Sequence, residues 1–97
     1  MPFIKALSMQ KEIFNRIARI DYLIRIKATG TPAQLAERLG MSERSVYEYI
    51  NLMKELGAPI KFNSYRQTYY YDTEGSFAIS FFPKNEADPN ANRKFGT

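Results

Sequence analysis

Apolar residues recur with a helical period early in the chain. Ile13, Ile17, Ile20 and Ile24 stand at i, i+4, i+7 and i+11, one face of an amphipathic helix. The spacing predicts a long helix from about Met9 to Ala28, with Phe14, Leu23 and Ile26 widening the stripe and Arg16, Arg19, Arg25 and Lys27 largely outside it. Thr29-Gly30 is the expected stop, because glycine takes the left-handed conformation that ends helices. Thr31-Pro32 then supplies a hydroxyl N-cap followed by proline at the first helical position, where its missing N–H costs nothing. Leu35, Ala36 and Leu39 face inward on this short helix, and Gly40 closes it. Ser42 caps a third helix whose buried stripe is Val46, either Tyr49 or Ile50, and Met53. Leu56 ends that helix, Gly57 caps it, and Pro59 prevents its continuation.

Beyond Pro59 the period shortens. Ile60-Lys61-Phe62 reads as a strand, Asn63 to Gln67 as a polar connection and Thr68 to Tyr71 as a second strand, which together make a hairpin. In strand geometry Tyr69 and Tyr71 pack on the helices and Tyr70 faces away. Asp72 to Gly75 forms another turn, and the alternation of Phe77, Ile79 and Phe81 within 76–82 predicts a third strand. The expected fold is α+β, a winged helix-turn-helix: three helices followed by a small two- or three-stranded antiparallel wing. It occupies 1–83 with a long N-terminal helix, and 84–97, polar and without periodicity, is expected to be a disordered tail.

Charge is unevenly placed. The net +4 of the whole chain resides in residues 1–30, where Lys5, Lys11, Arg16, Arg19, Arg25 and Lys27 face only Glu12 and Asp21. Residues 31–57 carry Arg38, Arg44 and Lys54 against Glu37, Glu43, Glu48 and Glu55, a slight negative excess. The basic footprint expected of a nucleic-acid binder therefore lies on the first helix, although a solvated face is its plainer explanation. There is no cysteine and no histidine, which removes thiol nucleophiles, imidazole acid-base chemistry and zinc fingers. No glycine-rich phosphate loop or paired carboxylates stand out, and Asp21 and Asp72 read as surface charge, so an enzyme is not expected and no cofactor is implied. No apolar run nears the roughly 18 residues of a membrane span, and Met1 to Gln10 lacks the pattern of an export signal. A cytoplasmic location fits these features.

With Val46, Ile50 and Met53 inward, Arg44, Tyr47, Glu48 and Asn51 share the opposite face of the third helix. These side chains suit the major groove: Arg for guanine, Asn for adenine, Glu for the cytosine amine, Tyr for a thymine methyl or a phosphate. Ser42 and Ser45, near the helix N-terminus, can donate to phosphate. Lys61 and Arg66 in the hairpin can contact the backbone. The plainer reading of the same stripe is a solvated helix face.

The segments L-A-E-R-L-G-M-S-E-R-S-V-Y (35–47), L-M-K-E-L-G-A-P-I (52–60) and Y-Y-Y (69–71) resemble the N-terminal winged-helix domain of DeoR- and WYL-type bacterial transcription regulators, and are similar to the helix-turn-helix of biotin-repressor-like proteins. The likeness runs from Arg19 to Tyr71. It implies DNA contacts at Ser42, Arg44, Ser45 and Tyr47, with Asn63 to Gln67 of the wing reaching the backbone or minor groove. Where many such regulators have Arg-Asp after the Val-Tyr pair, this chain has Glu48-Tyr49, and the large effector-sensing domain of such regulators has no counterpart in it. The expected function is sequence-specific binding of double-stranded DNA in transcription regulation, with helix 43–56 in the major groove and the 60–71 wing on the backbone, acting as a homodimer. The alternative is a protein-interaction module on a winged-helix scaffold with little DNA affinity, its partner held by helix 1 or by the terminal strand.

Overall fold

A computed structural model describes residues 2–78, 81, 83 and 84, with residues 2–10 as helix backbone. Helix α1 (Pro2–Arg25) is followed by α2 (Pro32–Leu39), α3 (Glu43–Glu55), and the strands β1 (Ile60–Asn63) and β2 (Thr68–Tyr71). The strands form one antiparallel hairpin in which Ile60 faces Tyr71 and Phe62 faces Tyr69. This is the winged helix-turn-helix that the sequence predicts, with a two-stranded wing among the described residues.

Helix α1 differs from expectation at both ends. It begins at Pro2 rather than near Met9 and ends at Arg25 rather than Ala28. Its stop is not a glycine: Lys27 takes φ 56°, while the N–H of Ala28 donates to the Leu23 carbonyl at 2.9 Å. The C-terminal half of α1 enters the core through Ile17, Ile20 and Ile24. Ile13, Phe14 and Ile26, expected in the stripe, are exposed.

The two short helices are built as their caps dictate. Thr31 accepts from the N–H of Gln34, and the Gln34 side chain accepts from the N–H of Thr31, a reciprocal box that satisfies two of the free donors at the helix start. Gly40 closes α2 in the left-handed conformation at φ 66°. Leu35, Ala36 and Leu39 of α2 meet Val46, Ile50 and Met53 of α3 in one cluster with the α1 isoleucines, Ile60 and Tyr69. Of the two candidates in the α3 stripe, Ile50 is buried and Tyr49 is half-buried.

Two polar anchors hold the wing against the helices. Asp21, expected on the surface, is buried at 3 % exposure. Its carboxylate takes a hydrogen bond from the Tyr71 hydroxyl at 2.7 Å, another from the N–H of Phe77 at 3.1 Å, and the Nε of Arg25 at 3.0 Å. Burial, followed by that bond to Asp21, pushes the Tyr71 phenol well above its ordinary range. Asp72, by contrast, is exposed as expected.

The second anchor closes the outer edge of β2. The N–H of Tyr69 donates to the Thr29 hydroxyl at 2.9 Å, and the N–H of Thr29 donates to the Thr68 hydroxyl at 3.2 Å. An edge strand's free N–H is thereby satisfied by a side chain from the α1–α2 connection.

The predicted third strand does not form over Ser76, Phe77 and Ala78, which are irregular. Phe77 packs against the core while Phe81 is fully in solvent, so the backbone is drawn onto Asp21 rather than laddered onto the hairpin. Ile79 and Phe82 of that prediction, and the 84–97 tail beyond Lys84, lie outside the described residues.

Candidate nucleic-acid interface

Helix α3 presents Arg44, Tyr47, Glu48 and Asn51 outward, all exposed, opposite its buried Val46, Ile50 and Met53. The four are together on one face, as their spacing requires. Arg44 Nε lies 3.5 Å from Glu48 Oε2, with the two side chains 88 % and 66 % exposed.

Ser42 and Ser45 are committed to the helix start. The Ser42 hydroxyl accepts from the N–H of Ser45 at 3.1 Å and its oxygen also lies 3.1 Å from that of Ser45. Their position in the first turn still places them where helix amides and the dipole favour an anion.

The wing brings up the remaining residues. Lys61 is exposed on β1 and paired with Asp72, Nζ to Oδ2 3.4 Å, which offsets part of its charge. Asn63 is half-buried, and its Oδ1 accepts from the N–H groups of Tyr65 and Arg66 at 2.9 and 3.0 Å. Such a side chain mimics a backbone turn, so Asn63 shapes the tip of the hairpin. Gln67 completes the tip in the left-handed conformation, φ 55°, its amide bonded to the Ser64 carbonyl. Arg66 is exposed on that tip.

Two aromatic rings meet across the hairpin of the wing. Phe62 stands edge-on to Tyr69 with centroids 5.0 Å apart. Burial raises the Tyr69 phenol, and Tyr47 and Glu43 of α3 add to the shift.

Sequence reasoning missed three contributors. Tyr65, read only as part of a polar connection, is 95 % exposed at the wing tip. Arg38 donates to the Ala28 carbonyl at 2.8 Å, which ties α2 to the end of α1. Thr29 carries the wing anchor, and its pairing with a residue far along the chain leaves no local signal. Among the described residues, no three His, Cys, Asp or Glu side chains gather to hold a metal ion. None of the helices described is long and apolar enough to cross a membrane.

A family model described as an HTH domain matches residues 17–71, more than half of the 97 residues. The chain belongs to this HTH-domain family. The match opens at Ile17, the first buried residue of α1 among those described, and closes at Tyr71, the last residue of β2. The HTH unit thus coincides with the part of the molecule that shares one core, and family membership supports DNA binding through the α2–α3 pair. No curated protein and no solved structure matches the chain.

Proposed function

We propose that the chain is a sequence-specific reader of double-stranded DNA acting in transcription regulation. Helix α3 enters the major groove and turns the face of Arg44, Tyr47, Glu48 and Asn51 toward the base edges there. Ser42, Ser45, Lys61, Asn63 and Arg66 lie toward the phosphate backbone, the first two by donation at the helix start and the others from the wing. The observation that carries this reading is the exposed polar face of α3, opposite a fully buried apolar one, in a helix pair of the HTH family. One such unit contacts few bases. A homodimer on two half-sites about one helical turn apart supplies the rest of the affinity. A cytoplasmic protein without catalytic activity fits this role.

A second reading, an interaction module on the same scaffold, draws on the surplus of acids over bases in 31–57 and on Asp72 offsetting Lys61. Selection from a randomised duplex pool at low and moderate salt separates the two. An enriched two-fold motif supports the DNA reader. Motif-free retention that vanishes with added salt supports the interaction module, because phosphate contacts alone depend steeply on salt.

A further inference from the structure

Three ion pairs at i,i+4 lie along helices among the described residues: Glu12–Arg16, Asp21–Arg25 and Arg44–Glu48. In the first two the acid precedes the base, the order that helices favour because each charge then faces the helix end of opposite sign. The third runs in reverse. Helix stability therefore gives little reason for it, and exposed pairs contribute little in any case.

Its place and its geometry give a different reason. It lies on the outward face of α3, and Glu48 meets Arg44 through Nε. The contact leaves aside the fork of terminal nitrogens, which is the part of a guanidinium that matches guanine O6 and N7. A carboxylate in this position limits the rotamers of an arginine that is otherwise exposed. It also sets a negative charge where duplex phosphates pass if no cognate base accepts the arginine. Glu43 stands on the same helix, and the surplus positive charge of the chain lies in residues 1–30.

We propose that Glu48 is the positioning and specificity residue of the reading face: it aims Arg44 at a guanine and, by its charge, holds down binding to duplex that lacks that guanine. The proposal rests on the reading of α3 as the base-reading helix. On this view a chain of modest net charge gains selectivity by lowering its non-specific binding.

The test uses the full chain, the motif that it selects from a random pool, that motif with each base pair changed in turn, and random duplex. Arg44→Ala first marks the base pair at which preference is lost. Glu48→Ala is expected to lower discrimination at that same pair about tenfold and to raise affinity for random duplex several-fold. Glu48→Gln, which keeps the shape and a side-chain oxygen beside Nε but removes the charge, is expected to keep the preference while sharing the rise on random duplex. A merely structural role would not separate these two readouts, and unchanged urea midpoints verify that both variants fold. Full discrimination in Glu48→Ala overturns the proposal. So does a loss at a different base pair, which would make Glu48 a direct reader of a cytosine amine. If the unmodified chain selects no motif, the base-reading role of α3 fails first, and that result is visible before any variant is made.

Discussion

The hydroxyl of Thr29, in the α1–α2 connection, lies 3.1 Å from the hydroxyl of Thr68 at the start of β2, 39 residues further along the chain. Both threonines are buried, at 0 % and 3 % exposure. Each also receives a backbone N–H, from Tyr69 and from Thr29 respectively. This knot joins the α1–α2 connection to the wing, so two hydroxyl groups, together with the Asp21–Tyr71 bond, hold the wing against the helices.

Replacing Thr29 by valine keeps the shape and removes the acceptor of the Tyr69 N–H. A buried donor left unpaired costs about 1–3 kcal/mol, and the urea midpoint of Thr29→Val should fall accordingly with an unchanged slope. Thr68→Val should cost a similar amount by orphaning the N–H of Thr29. Because the two share one network, the double variant should lose less than the sum; strict additivity would show that the hydroxyls act independently.

Stability should decline in alkali. The Tyr69 and Tyr71 phenols are both raised above their ordinary value of 10.0, each chiefly by burial, and Tyr71 further by its bond to Asp21. Above pH 10.0 the unfolded chain gives up these protons while the folded chain keeps them, so the folded state binds more protons and stability falls as pH rises. Below 10.0 the contribution is fully present. Urea midpoints measured from neutral pH to above 10.0 should show the decline, and Tyr71→Phe should make it shallower without abolishing it.

Gly30 should not tolerate a side chain. Its φ is +74°, and a Cβ there would meet the Gln34 Oε1 at 2.5 Å, the atom that accepts from the N–H of Thr31 in the α2 capping box. Gly30→Ala is expected to cost about 1 kcal/mol or more from backbone strain, together with the displaced cap. Gly40→Ala has open space around the new carbon, and should lose only the conformational part. Thermal unfolding of the pair distinguishes the two contributions.

On DNA, the reading face and the wing should respond differently. Arg44→Ala should weaken binding to the selected motif by about 1–3 kcal/mol and relax preference at one position. Lys61→Ala should weaken binding to every sequence alike and flatten the salt dependence. Asp72→Asn frees Lys61 from its 3.4 Å partner and should do the reverse, raising affinity for all duplexes. Fluorescence anisotropy over a salt series measures all three, and a sequence-dependent effect of Lys61→Ala would move that residue from backbone to base.

Local signals in the sequence were enough for the three helices, the caps at Thr31, Gly40 and Ser42, the hairpin, and the composition of the outward face of α3. Each of these rests on neighbours within a turn or two, where period and capping chemistry act. The burial of Asp21, the knot of Thr29 with Thr68, the irregular path of Ser76, Phe77 and Ala78 and the exposure of Phe14 and Ile26 were decided by tertiary structure. An apolar stripe states that a face can be buried, but not whether another element reaches it. Likewise an aspartate inside a helical pattern reads as solvated until a tyrosine 50 residues later supplies a hydroxyl to it. Polar groups enter a core only with partners, and partners distant along the chain become neighbours only when it folds.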